Sequence, residues 1–290
     1  MASDATRMYA MVFGAYRPAR IAYLVASGPV NTAFHNPELY DAYTIVANSE
    51  FSKRNLEDSG FRVDGYIHHA VDLHIMDRAG RSPYPFDRPK DRFTWFVYTA
   101  NIGPRKGVES FLEAFRMAQK RTDYSIGLRA ISNLDGHLKP EDRYIINHAG
   151  FGTLEYGQVM RFIAGGDYYL HLVKNESFGL PALEARALGR PLVALRMPPT
   201  VEFIPEAGAF WVPVSEVRRV RTYGVMDILS HEYDVAQAAD LIVQAHDVRW
   251  NYPSQYEDMR ARLLEGIEEY HYSKLYRLFA DMVAEASEGG

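Results

Sequence analysis

From Arg92 onward, short runs of β-branched and aromatic residues alternate with stretches whose apolar positions recur every three or four residues. That alternation predicts a parallel sheet covered by helices. Arg92 to Ala100 (RFTWFVYTA) reads as a buried strand and NIGPRKG as a loop, after which Val108, Phe111, Leu112 and Phe115 mark the inner face of a helix. Further strands are expected at Tyr124 to Ser132, Phe151 to Leu154, Tyr168 to Val173, Pro191 to Leu195 and Phe210 to Val214. Helices are expected at Glu141 to His148, Val159 to Ala164 and Leu180 to Leu188. Beyond Asp234 the chain reads as helix, broken at Asn251 to Pro253, with a last stretch from Gln255 to Ala286.

The first 90 residues carry a weaker version of the same pattern. Arg20 to Ala26, Tyr43 to Asn48 and Gly65 to His68 predict short strands, and Glu50 to Ser59 a helix capped by Ser49. Asp77 to Asp91, rich in Pro, Arg and Asp, reads as a linker. The expected class is α/β, and 290 residues suggest two domains at roughly 100–200 residues each. Hydrophobic residues at 47% and charged residues at 24% fit a folded globular chain rather than a disordered one. No apolar run reaches the ~18 residues of a membrane span, and the first residues lack a leader pattern, so an intracellular, cytoplasmic protein is expected. A net charge of −5 argues against a general nucleic-acid binder. With no cysteine, disulfides, thiolate metal sites and cysteine nucleophiles are excluded.

The chemistry concentrates in two loops. In the first, a strand delivers the chain to Asn175-Glu176-Ser177-Phe178-Gly179-Leu180-Pro181, and the following helix has proline in its first turn. In an open parallel sheet such a loop lies at the carboxyl ends of the strands, where a free helix N-terminus favours an anion such as a diphosphate. Glu176 precedes the helix and Glu184 lies about one turn in, so one carboxylate falls on each side of that anion. Carboxylates accept hydrogen bonds from sugar and ribose hydroxyls, which suits a nucleotide sugar. Glu184 is equally readable as an early-turn glutamate that favours the helix dipole. The second loop, Asn101-Ile102-Gly103-Pro104-Arg105-Lys106-Gly107, also joins a strand to a helix. Lys106 offers a point charge and Arg105 a fork of donors to a phosphate, against the plainer reading of a basic loop on a solvated face. On one sheet edge the two loops converge on one diphosphate.

The stretch ESFGLPALEARALGRPLVA, with its paired glutamates, resembles the signature of the retaining GT-B glycosyltransferases of family 4. The similarity extends back through TANIGPRKGVESFLEAF and FGTLEYGQVMRFIAGGDYYLHLV and forward to Thr200-Val201-Glu202, and weakly into YDAYTIVANSEFSKRNLEDSGF and HHAVD. It implies two Rossmann-like parallel-sheet domains: residues 1–90 as a reduced acceptor-side domain, 91–253 as the donor domain, and 254–290 as a C-terminal helix crossing back. It also implies a metal-independent enzyme that takes a UDP- or GDP-sugar and transfers the sugar with retention to an acceptor the sequence does not name. Glu184 would hold the ribose, Glu176 the donor sugar, and backbone groups of Ser177, Phe178, Gly179 and Leu180 the diphosphate. Lys106 would neutralise the leaving phosphate, with Arg105, Asn101 and Gly103 beside it. No Asp-x-Asp motif is present to support a metal-bridged diphosphate.

The resemblance is incomplete in three places. The arginine that the family carries five or six residues before its lysine is Asn101 or Ala100 here. The N-terminal histidine that contacts the donor has only His35 as a candidate by chain order. The acceptor-side domain, at 90 residues, is far below half the chain. Two alternatives therefore stand beside transfer: a nucleotide-sugar-binding module or subunit without its own activity, and a GT-B nucleotide-sugar epimerase. Peripheral membrane contact and self-association are compatible with all three. His68, His69, Asp72 and His74 have the spacing of a metal cluster, against an interdomain turn implied by the resemblance.

Overall fold

The computed structural model describes residues 21–31, 43–222 and 226–288. Strands β1 (Ile21–Leu24), β2 (Thr44–Ala47) and β3 (Gly65–Tyr66) form a small parallel sheet in that order, with helix α1 (Glu50–Glu57) between β2 and β3. Ser49 caps α1 as its sequence predicts, its hydroxyl accepting from Ser52 N at 3.0 Å.

A second, six-stranded parallel sheet carries most of the core. Its strands are β4 (Thr94–Thr99), β5 (Ile126–Ile131), β6 (Ile145–Ala149), β7 (Tyr168–His171), β8 (Leu192–Leu195) and β9 (Ala209–Val212), in the spatial order β6-β5-β4-β7-β8-β9. The order reverses between β4 and β7, which places a ligand crevice at their carboxyl ends. Near-continuous apolar strands bury both faces, as parallel sheets require. On one face Phe96, Tyr98, Leu128 and Leu170 pack against α3 (Val108–Arg121) and α7 (Val235–Asn251). On the other, Val97, Tyr169, Leu192 and Ala194 pack against α4 (Tyr156–Gly165), α5 (Leu180–Ala187) and the short α6 (Thr200–Phe203).

Four expectations are corrected. The helix expected over Glu141 to His148 is strand β6, and Phe151 to Leu154 is a turn rather than a strand. Ile145 and Ile146 are β-branched, and Leu128 pairs with Ile145 and Arg129 with Ile146 in a parallel ladder that holds this segment as the sheet edge. Within the expected linker, helix α2 (Leu73–Arg81) runs on to Arg81, capped by Asp72 through His74 N at 2.9 Å. Its Met76 and Ala79 join the core beside α4 and α5. Beyond it, Arg88 forks onto Asp167 at 2.9 and 3.0 Å and fixes the connection into β4. The last stretch is not one helix: α8 (Pro253–Leu264) ends before Gly266, in the left-handed region at φ 67°, and α9 (Tyr272–Glu288) follows a short turn.

An antiparallel hairpin, β10 (Glu216–Val220) with β11 (Ile228–Glu232), follows the large sheet and has no counterpart among the expected elements. The last elements cross back toward the N-terminal half: Val71, just before α2, has its N–H donating to Tyr270 O at 2.9 Å and its C=O accepting from Tyr272 N at 3.2 Å, and Phe279 of α9 lies edge-on to Tyr23 of β1.

Candidate functional site

Both expected loops open at the switch point. After β4 the chain passes Ile102, whose N–H donates to Asn133 Oδ1 at 2.8 Å, and then makes a tight turn over Pro104–Lys106. Gly107 ends that turn at φ 78°, and a Cβ there would lie 2.7 Å from the Lys174 stem, so only glycine lets the two loops approach. Asn101 is exposed and Gly103 is extended beside it.

The second loop is bound to the first at two points. Lys106 Nζ donates to the Glu176 carboxylate, and each side chain is 14% exposed. Arg105 donates to Asn175 Oδ1, and Asn175 Nδ2 in turn donates to Ser27 O at 3.1 Å and Leu229 O at 3.0 Å. Asn175 is fully buried with its amide used on both sides, so Arg105 stands against a structural joint, whereas Lys106 stands against a carboxylate that a ligand can replace. Gly179 opens α5 in the left-handed conformation, φ 93°, and Pro181 follows in the first turn. The side chain of Phe178 does not face the crevice: it is buried, stacked on Phe203 at 4.6 Å and packed on His68 and His69. Its contribution to the crevice is its backbone, as is that of Gly179. Among the described residues the N–H groups of Phe178, Gly179 and Leu180 have no acceptor.

Glu184 lies in α5 and is 5% exposed. Burial pushes its carboxyl up to about 7, and a hydrogen bond from the Tyr156 hydroxyl works in the opposite sense. Tyr156 opens α4 and is 40% exposed, so a hydroxyl already rests on Glu184 at the edge of the crevice. His171, at the carboxyl end of β7, lies under the loop: a Cβ on Gly179 would be 3.3 Å from its Nε2. Burial pushes it down to about 4, so it is neutral, and neither ring nitrogen has a partner among the described residues.

The N-terminal sheet closes the other side. Ser49 Oγ donates to Ser177 O at 2.8 Å, Ser52 Oγ lies 3.2 Å from the same oxygen, and Asn48 Nδ2 approaches Ser177 Oγ at 3.5 Å. Glu202 accepts from Glu50 N at 2.9 Å and Phe51 N at 2.7 Å, the first orphan amides of α1, and from His68 Nε2 at 3.0 Å. The His68, His69, Asp72 and His74 spacing brings no cluster together: His68 binds Glu202, Asp72 caps α2, and no group that could hold a metal occurs among the described residues. His35 lies outside the described residues. Asn48, Ser52 and Tyr156 escaped sequence reasoning, and Ser49 was visible only as a helix cap. Their contacts to the site span 125 or more residues for the N-terminal three, and no local pattern encodes that.

The fold is that of the GT-B class, with its motif-bearing sheet doubly wound. Residues 85–223, a little under half of the chain, match the model of the family described as glycosyl transferases group 1. The chain is 22% identical over 287 residues to uncharacterized glycosyltransferase 335 of Sulfolobus islandicus rod-shaped virus 1, covering 94% of this chain and 82% of that one. A UDP-forming α,α-trehalose-phosphate synthase from Burkholderia xenovorans matches at a TM-score of 0.67 and 14% identity over 93% of this chain and 69% of its own. The pneumococcal O-GlcNAc transferase GtfA, solved with UDP and GlcNAc, matches at 0.62 and 13% over 92% of this chain. The chain spans about half of that transferase, 52%. At these identities the two structures show a shared fold. Among the described residues no helix is long and apolar enough to cross a membrane.

Proposed function

We propose that the chain is a retaining glycosyltransferase that uses a nucleoside-diphosphate sugar, UDP-linked in the first instance, without a metal. The observation that carries this is the convergence of four groups at the switch point of a group 1 sheet: the open amides of α5, Lys106, Glu176 and buried Glu184. The relatives solved or named with UDP favour that base. Glu184 accepts from the ribose hydroxyls, taking the place of the Tyr156 hydroxyl. The α5 amides receive the diphosphate, and Lys106 exchanges the Glu176 carboxylate for a phosphate oxygen. Glu176, released, accepts from the donor sugar's hydroxyls. Lys106 and the helix N-terminus supply the countercharge, so the bond to the leaving group breaks against positive charge already in place.

In the transfer step the anomeric carbon's bond to the β-phosphate oxygen breaks, and its electron pair stays on that oxygen. The acceptor hydroxyl oxygen bonds to the anomeric carbon from the same face and gives its proton to the departing phosphate. The test is a thermal-shift panel of UDP, GDP and ADP followed by donor hydrolysis without acceptor. Selective stabilisation by one diphosphate and slow release of free sugar are expected. Tight binding with no turnover favours a binding module, and no stabilisation by any of the three defeats the donor-site reading.

A further inference from the structure

The N-terminal sheet is expected on the acceptor's side of such a crevice, yet its helix α1 grips the loop that opens α5. Ser49 and Ser52 are both fully buried, and both hydroxyls converge on one oxygen, the carbonyl of Ser177, at 2.8 and 3.2 Å. A trans peptide holds its C=O and the next N–H antiparallel. Anchoring Ser177 O on the first turn of α1 therefore aims the Phe178 N–H in the opposite sense, and the unpaired amides of Gly179 and Leu180 follow it. The grip is reinforced from the other side, since Glu202 ties the Glu50 and Phe51 amides of the same turn to the donor half. We propose that Ser49, assisted by Ser52, is a positioning residue for the diphosphate: it sets the orientation of the α5 amides without touching the ligand. This rests on the donor-site reading above and adds to it the residue that orients the diphosphate-binding amides.

Ser49 also caps α1, so the test must separate the two roles. Ser49→Gly removes the hydroxyl but keeps a residue that N-cap positions tolerate nearly as well as serine, and Ser49→Thr restores both cap and donor. The full-length chain is titrated by calorimetry with whichever of UDP, GDP and ADP binds the wild type best, and by competition with the parent nucleoside. For Ser49→Gly we expect diphosphate binding weakened roughly five- to ten-fold, nucleoside binding unchanged and melting temperature nearly preserved, with Ser49→Thr close to wild type. Wild-type diphosphate affinity in Ser49→Gly, or equal loss for diphosphate and nucleoside, overturns the proposal while leaving the donor site in place. Failure of all three diphosphates to bind the wild type overturns the donor-site reading and this proposal with it.

Discussion

Glu184 is the residue at which burial and chemistry oppose each other most directly. Its carboxyl, ordinarily near 4.5, is raised to about 7 because its charged form is desolvated. Between those two values the native chain holds a proton that the unfolded chain has released, so stability falls as pH rises through the interval and is highest on its acid side. A shift of that size corresponds to a loss on the order of 3 kcal/mol. Urea unfolding at pH 5 and pH 8 should therefore show the wild type losing more stability than Glu184→Gln by an amount of that order; equal losses would remove Glu184 as the cause. Ribose hydroxyls donate to a carboxylate and so favour its charged form. Nucleotide affinity should accordingly rise with pH through about 7, with protons released on binding, and calorimetry in buffers of different ionisation enthalpy reads that release directly. If the measured heat does not depend on the buffer, the ribose is not on Glu184.

At the scale of elements, α1 shows how two short sheets are joined. A helix of eight residues has little stability alone, and its first amides are satisfied by a carboxylate from the other half of the chain. Glu202→Ala should lower the unfolding free energy by roughly 1–3 kcal/mol, since it orphans two amides at once and leaves His68 without its partner. A denaturant midpoint within error of wild type would show that Glu202 is incidental. The same comparison explains what was legible in the sequence. The apolar runs of β4, β5, β7 and β8 are buried on both faces, and α3, α4, α5 and α7 keep helical spacing, so local pattern sufficed. The loop residues Glu176, Gly179 and Lys106 were legible because strand, glycine and helix follow each other in order. Strand β6 was not, because an edge strand half open to solvent mixes Asn147 and His148 among its apolar residues. The hairpin was hidden for a stronger reason: Glu216–Val220 is exposed at every position and owes its structure to pairing and to the N-terminal loop.

At the scale of the molecule, the question raised by a short N-terminal sheet is whether it behaves as a domain. Among the described residues its own buried cluster is seven residues, and the three parallel strands of four, four and two residues close few ladder bonds. What holds it is borrowed. The hairpin lies against it, with Asp227 N donating to Pro29 O at 2.8 Å and Leu229 N to Ser27 O at 3.2 Å, so close that a Cβ on Gly28 would meet Asp227 O at 2.5 Å. Asn175 spans Ser27 and Leu229, α1 is bound through Ser177 and Glu202, and Phe279 of α9 lies edge-on to Tyr23 of β1. Each of these joints would have to break before the small sheet could melt separately. Scanning calorimetry of the full chain should therefore give one transition, with van't Hoff and calorimetric enthalpies equal within error. Gly28→Ala should lower that single midpoint, because parting the hairpin from the sheet loosens one joint without creating a second cooperative unit. Two resolved transitions in the wild type would mean that the N-terminal sheet is a domain in its own right, free to open and close over the Asn175–Pro181 loop instead of being fixed to it.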